Sequence, residues 1–214
     1  MASNIVLFGA PGAGKGTLAD KIKKILPVVH ISTGDLLREN VRGGTDVGKE
    51  AKKYMDAGKL VPDEMVIAMV KERISKEDVK NNGFMLDGFP RTVEQAQALD
   101  KVAKMDAVVV IDIKKEELRK RILGRRSCPK CGKIYNIYNP QLQPKKAGFC
   151  DLDGTALLHR DDDNDDTFEK RWNTYIGQSD GVINYYSKKP GMVRHVDGTR
   201  TMSISEDELK KILG

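Results

Sequence analysis

A chain of 214 residues, 39% hydrophobic and 32% charged, can bury one substantial core but has no apolar run of membrane-spanning length, pure runs such as Ala107 to Ile111 being far shorter. A formal net charge of +6, from 37 Lys and Arg against 31 Asp and Glu, suits anionic partners without choosing between nucleotides and nucleic acid. Met1-Ala2-Ser3-Asn4 carries no basic segment before the first apolar stretch, so no secretory leader is expected and the protein is expected in the cytoplasm.

Asn4 to Gly9 is a short apolar run closed by glycine, and from Lys15 to Leu26 the residues Leu18, Ile22, Ile25 and Leu26 recur at helical spacing, which reads as strand, loop, helix. Further apolar runs lie at 28–31, 84–88, 107–113 and 192–198, with charged amphipathic segments between them. Parallel strands need crossover connections, and crossover helices cover the sheet. The predicted architecture is therefore α/β, a doubly wound parallel sheet of five strands with helices on both faces. The chain closes on a predicted helix whose Ser205 and Glu208 have the spacing of a capping box. Two stretches break the alternation: 32–61 has helical patterns without a strand, and 126–163 holds the three cysteines with Pro129, Pro140 and Pro144. The expected division is a core of 1–31, 62–125 and 164–214 with insertions at 32–61 and 126–163.

The loop after the first strand reads Gly9-Ala-Pro-Gly12-Ala13-Gly14-Lys15-Gly16-Thr17. It is a phosphate-cradling P-loop pattern with one slip, because Gly16 separates Lys15 from the hydroxyl of Thr17. Glycines at 9, 12, 14 and 16 permit positive φ and leave no Cβ in the path of an anion. The amides and the helix N-terminus then face a phosphate, and Lys15 reaches the outer phosphates. The displaced hydroxyl weakens a direct grip on magnesium, so a second oxygen donor is needed. Asp87, ending the run at 84–88 on the carboxyl edge of a parallel sheet, can serve directly or through water; taken alone it reads equally as a strand-end turn residue.

Leu86-Asp-Gly-Phe-Pro-Arg-Thr92, taken with this loop, Ser32-Thr-Gly-Asp-Leu-Leu-Arg38 and Gly58-Lys-Leu-Val-Pro-Asp-Glu-Met65, resembles the adenylate kinases. The resemblance runs over almost the whole chain, through Gly124-Arg-Arg126, the stretch 160–166 and Val196-Asp-Gly-Thr199. In that family the loop is G-x-P-G-x-G-K-G-T, as it stands here, so the slip is a family trait. The resemblance implies ATP, AMP and ADP as partners, phosphoryl transfer from ATP to AMP giving two ADP, and magnesium held mainly by nucleotide oxygens and waters. It implies ATP binding by Gly12, Ala13, Gly14, Lys15, Gly16, Thr17, Arg121, Arg125, Tyr135 and Arg200. AMP falls to Thr33, Gly34, Arg38, Lys59, Leu60, Val61, Gly88, Arg91 and Gln95. Arg160 and Arg171 complete the set around the transferred group, with Lys15, Asp87, Arg91, Arg121 and Arg125 as its catalytic companions. On this reading 32–61 is an AMP-binding insertion and 126–163 a lid.

Phosphoryl transfer asks the protein for positioning and for stabilisation of moving negative charge, which arginines supply. Arg121 and Arg125, four apart, are expected to share one helical face. The acceptor phosphate, with a second pKa of about 6, is largely dianionic at neutral pH and needs little general-base help. His30, His159 and His195 are accordingly read as structural, and Trp172 and Tyr175 as packing residues. Gln95 can pair with adenine through donor and acceptor together; a kinase of another nucleoside monophosphate is the near alternative.

Cys128-Pro-Lys-Cys131 and Cys150-Asp-Leu-Asp153, eighteen residues apart, have the spacing of two zinc knuckles, with Asp151 a less regular alternative donor. The same pattern occurs in the lids of metal-bearing adenylate kinases, so a structural zinc is expected. A zinc-ribbon nucleic-acid module is the alternative from another class. The segment lacks a run of alternating basic and aromatic residues, although Tyr135, Tyr138 and Lys145 are present, and neither nucleic acid nor membrane is expected as a partner. A monomer is expected. Asp161, Asp165 and Asp166 read as a solvated acidic loop, and Ser179 and Gly181, standing where relatives often carry Thr-x-Pro, place the helix at 178–186 in question.

Overall fold

A computed structural model describes residues 4–57 and 59–214; Met1 to Ser3, over which no leader is expected, and Gly58, the first residue of the stretch 58–65, lie outside the described residues. In chain order the elements are β1 (Asn4–Phe8), α1 (Lys15–Ile25), β2 (Val29–Ser32), α2 (Thr33–Arg42), α3 (Asp46–Asp56), α4 (Asp63–Ile74), α5 (Glu77–Asn82), β3 (Phe84–Asp87) and α6 (Val93–Asp100). They continue as β4 (Ala107–Asp112), α7 (Lys115–Gly124), β5 (Arg125–Ser127), β6 (Ile134–Asn136), α8 (Asp165–Ser187), β7 (Val193–Asp197) and α9 (Glu206–Leu213).

Five strands form one parallel sheet in the order β2-β3-β1-β4-β7, as the alternation of apolar runs and amphipathic segments predicts. Strand residues alternate between two apolar cores. Ile5, Leu7, Val109 and Ile111 pack with Leu18 and Ile22 of α1 and Leu209 and Leu213 of α9. Val6, Phe8, Val108 and Val110 pack on the other face with Val66 and Val70 of α4 and Leu99 of α6. The second run sits one residue later than the sequence suggests, because Val29 to Ser32 pair with Phe84 to Asp87 in register and Val28 turns into the first core instead.

The capping box at Ser205 forms by half. Ser205 Oγ accepts the Glu208 N–H at 3.2 Å, while the Glu208 carboxylate pairs with Arg200 at 3.0 Å rather than returning to the cap. The doubt over 178–186 is removed: α8 runs unbroken for 23 residues, with Ser179, Val182 and Tyr186 buried. A Cβ on Gly181 would meet Val93 Cγ2 at 3.1 Å, so the glycine lets α8 lie close on α6. Asp165 and Asp166 form the first turn of α8 rather than a free loop, where carboxylates complement the positive helix end.

Between β2 and β3, α2 and α3 pack against each other. A Cβ on Gly48 of α3 would lie 2.1 Å from the Asn40 carbonyl oxygen of α2, a collision with backbone that no rotamer relieves. Gly48→Ala is therefore expected to destabilise the protein by about 1–3 kcal/mol through overpacking, read as a lower urea midpoint.

Candidate active site

The carboxyl ends of β1, β2 and β3 meet at one edge, where a doubly wound sheet opens a crevice. The loop after β1 turns on Gly12 and Gly14, at φ 82° and 98°, and leads straight into α1 with Gly14 as the cap. Gly16 departs from the expected role: it has no positive φ and nothing lies within 4 Å of the Cβ it lacks. Lys15 Nζ donates to the Gly9 and Ala10 carbonyls at 2.9 and 3.0 Å and stands 3.9 Å from Asp87. Burial lowers the Lys15 pKa and Asp87 opposes this; burial would raise the Asp87 carboxyl, but Lys15 and His30 hold it below the usual range. His30, read from sequence as merely structural, has Nε2 3.8 Å from Asp87, buried and without a hydrogen-bond partner. Thr33 donates to the Gly88 carbonyl at 3.0 Å and so joins α2 to the turn after β3.

Guanidiniums from four separate parts of the chain converge on this edge. Arg38 of α2 binds Asp35 at 2.5 Å, Arg171 of α8 binds Asp162, and Arg125 binds Asp163, which is fully buried. Among the described residues Arg91 and Arg160 form no ion pair. Arg160 is pushed down to about 10 by burial and by Arg125 and Arg38; Arg91 is lowered by burial and by Arg171. Asp87 opposes the shift at Arg91, and Asp163 and Asp35 that at Arg160, yet both stay lowered, as expected where positive charge is in excess and an anion would be favoured.

Beside them, Gln95 is buried and held at both ends, with Oε1 accepting the Arg91 N–H and Nε2 donating to Asp63, each at 2.7 Å. A carboxamide has two donor hydrogens and two acceptor lone pairs, so one of each stays free. Gly34 and Gly88 lie against the Arg38 and Arg91 guanidiniums respectively, while Val61 is buried and Lys59 exposed just before α4. Leu60 is half-buried between them. On the other side of the loop Arg121 donates to the Gly198 carbonyl at 3.0 Å and to the Ala13 carbonyl at 3.4 Å, and Arg200 projects from the turn after β7.

In the 126–163 stretch β5 and β6 form an antiparallel ribbon over a core of only Cys128, Tyr135 and Cys150 with Leu157 against it. One ligand atom from each of Cys128, Cys131, Cys150 and Asp153 lies within 4.8 Å of the other three. The Cys131 and Cys150 sulfurs are 3.5 Å apart and neither is in a disulfide. A zinc tetrahedron with Zn–S near 2.3 Å has an edge of about 3.8 Å, so the donor set and its spacing fit that metal. Each knuckle turns on a left-handed glycine, Gly132 and Gly154.

A family model described as adenylate kinase matches residues 7–191. The chain belongs to the adenylate kinase family. Named adenylate kinases are similar to it over nearly the whole length: 50% identical to that of Methanothrix thermoacetophila and 46% to that of Staphylococcus epidermidis, over 98% of each chain. The adenylate kinase of Staphylococcus aureus is 48% identical over 94% of each chain.

One sequence expectation is corrected. Arg125 does not share a helical face with Arg121, because α7 stops at Gly124 and Arg125 is extended, at φ −64° and ψ 138°, as the first residue of β5. The Tyr135 ring, expected at the ATP site, is buried, its hydroxyl donating to Cys150 Sγ at 3.4 Å and accepting the Asp151 N–H at 2.7 Å. Sequence reasoning also passed over Asp63, which holds Gln95 and accepts from Thr92 at 2.5 Å; its only signal was its place within Pro62-Asp-Glu, a helix start. Asp163→Ala would leave the Arg125 guanidinium without its buried counter-ion and is expected to cost about 3–5 kcal/mol, measured by denaturant unfolding.

Proposed function

We infer that the chain transfers the terminal phosphoryl group of ATP to AMP, giving two ADP. The observation that carries the reading is the pair of arginines, Arg91 and Arg160, left without counter-ions among converging guanidiniums beside a P-loop. Lys15, tied to two loop carbonyls, exchanges them for outer phosphate oxygens and follows the moving charge. Arg38 and Arg91 hold the acceptor phosphate, with Thr33, Gly34, Lys59, Leu60, Val61, Gly88 and Gln95 enclosing AMP. Arg121, Arg125, Arg160 and Arg171 surround the group in flight, and ATP lies along Gly12 to Thr17, reaching Arg200. No general base is required, since the acceptor arrives largely dianionic. Magnesium, bound with ATP, neutralises phosphate charge and aligns the groups; Thr17 and Asp87 are the oxygen donors closest in kind, directly or through water.

The same reading divides the molecule into a core of 1–31, 62–125 and 164–214, an AMP-binding insertion at 32–61 and a lid at 126–163. Among the described residues no helix is long and apolar enough to cross a membrane; a cytoplasmic monomer belongs to the same reading. Zinc on Cys128, Cys131, Cys150 and Asp153 serves the lid structurally, because four protein donors close a tetrahedron and leave no position for substrate.

A coupled assay of ADP formation with AMP, UMP, CMP or GMP as acceptor tests the reaction; AMP is expected to dominate, and a pyrimidine nucleotide preferred over it would assign the chain to another acceptor. Arg91→Ala is expected to weaken AMP by about tenfold or more, the worth of a charged hydrogen bond, with ATP little changed in separate titrations. Equal weakening of both nucleotides would reverse the assignment. Elemental analysis is expected to find one zinc per chain, and Cys150→Ser to lower the melting temperature by several degrees, about what 1–2 kcal/mol does in a domain of this size, while activity persists in the cold.

A further inference from the structure

An α-helix leaves its last four carbonyls without partners inside the helix. In α7, the helix that carries Arg121, those are the carbonyls of Arg121, Ile122, Leu123 and Gly124, and each has a donor from outside the helix. Arg125 N–H serves Ile122, and Arg126 Nη1 reaches Leu123 at 3.3 Å. The other two donors come from the end of the far strand of the lid ribbon and the residue after it: Asn136 Nδ2 donates to the Arg121 carbonyl at 2.8 Å and Ile137 N–H to that of Gly124 at 2.9 Å. Asn136 is buried, and its orientation is set, because its Oδ1 accepts the Tyr138 N–H at 2.9 Å and leaves only the amide nitrogen to face α7. A Cβ on Gly124 would stand 2.4 Å from that same Oδ1, so glycine at the helix end makes room for the carboxamide.

We propose that Asn136 is a positioning residue for phosphoryl transfer: its carboxamide caps α7 from the lid and fixes where Arg121 and Arg125 stand relative to the P-loop. The bond lands on the backbone of Arg121 itself, whose guanidinium spans the Ala13 and Gly198 carbonyls, and Asn136 pairs across the ribbon with Arg125. The lid is thereby anchored to the residues that it must bring to the phosphates. This rests on the reading that these arginines act on the transferred group, and angstrom-scale misplacement of such groups is costly.

Asn136→Asp is the decisive variant, since it keeps the acceptor for Tyr138 and turns the other atom from donor into anion against the Arg121 carbonyl. At neutral pH its kcat is expected to fall by about tenfold or more, with the KM for AMP changed by less than about twofold. As pH falls the introduced carboxyl takes up a proton and can donate again, so the ratio of variant to wild-type kcat should rise. The nearest charged groups, Arg121 and its partner Glu117, Arg125 and its partner Asp163, and Arg126, are common to both proteins and cancel in that ratio. Asn136→Ala, which adds no charge, should show the kcat loss with a ratio flat in pH, and zinc content should match wild type in both. Wild-type kcat in the alanine variant, or a loss in the aspartate variant that does not respond to pH, would overturn the proposal. Wild-type protein that forms no ADP from ATP and AMP would instead refute the phosphotransferase reading and leave the capping geometry standing.

Discussion

Positive charges gathered in a partly buried cleft repel one another, and the site is arranged around that repulsion. Three of the converging arginines are steadied by carboxylates, Arg38 by Asp35, Arg125 by Asp163 and Arg171 by Asp162, which keeps the chain foldable without ligand. Arg91 and Arg160 form no ion pair among the described residues, and on the proposed reading they supply the electrostatic pull on phosphate. Fully neutralised, the cluster would have little left for an anion; wholly unpaired, it would cost several kcal/mol per buried ion. The division between paired and unpaired guanidiniums is thus a compromise between stability and binding.

The arginines belong to elements that the sheet alone does not bring together. Arg38 sits on the helical insertion, Arg91 on the turn after β3, Arg125 at the root of the lid and Arg171 on α8. Burial acts to raise the Asp35 carboxyl, but Arg38, and with it Arg160, holds it below the usual range, and Asp35 in turn favours the charge on Arg160, so the 126–163 stretch and α2 both contribute to one cluster of charges. Site assembly therefore depends on both insertions being in place, which suits a reaction in which water must be kept from an activated phosphate. The lid achieves its rigidity differently from the core. Its own buried cluster is Cys128, Tyr135 and Cys150 with Leu157 against it, too few to hold a ribbon by apolar burial, and a metal on the cysteine and aspartate knuckles would provide the crosslink that packing cannot.

The anchoring of the lid follows from backbone accounting more than from side-chain chemistry. Where α7 ends, its free carbonyls must find donors, and two of those donors come from beyond the first lid strand. The same bonds that terminate the helix tie the β5–β6 ribbon to the backbone of Arg121 and Gly124. Gly124 belongs to this arrangement for a steric reason, since any side chain there would displace Asn136 and Tyr138.

Features written in local patterns along the chain were legible from the residues alone. Apolar runs determined the five strands, because a strand buried on both faces needs a continuous apolar stretch; glycine spacing determined the loop, because only small residues leave room for an anion; and the two knuckles determined which three cysteines and which aspartate gather into a cluster that fits a metal. Tertiary structure alone decided what depends on residues far apart in sequence. It drew Arg125 out of the helix and into a strand paired with Asn136, turned the Tyr135 ring inward onto Cys150, and brought Asp63 against Gln95, 32 positions away. It also made Gly181 a close contact with Val93 rather than a weakness in α8. Periodicity and spacing encode which face a residue presents to its neighbours in the chain, whereas a hydrogen-bond or ion-pair partner is chosen only once the strands have paired and the helices have packed.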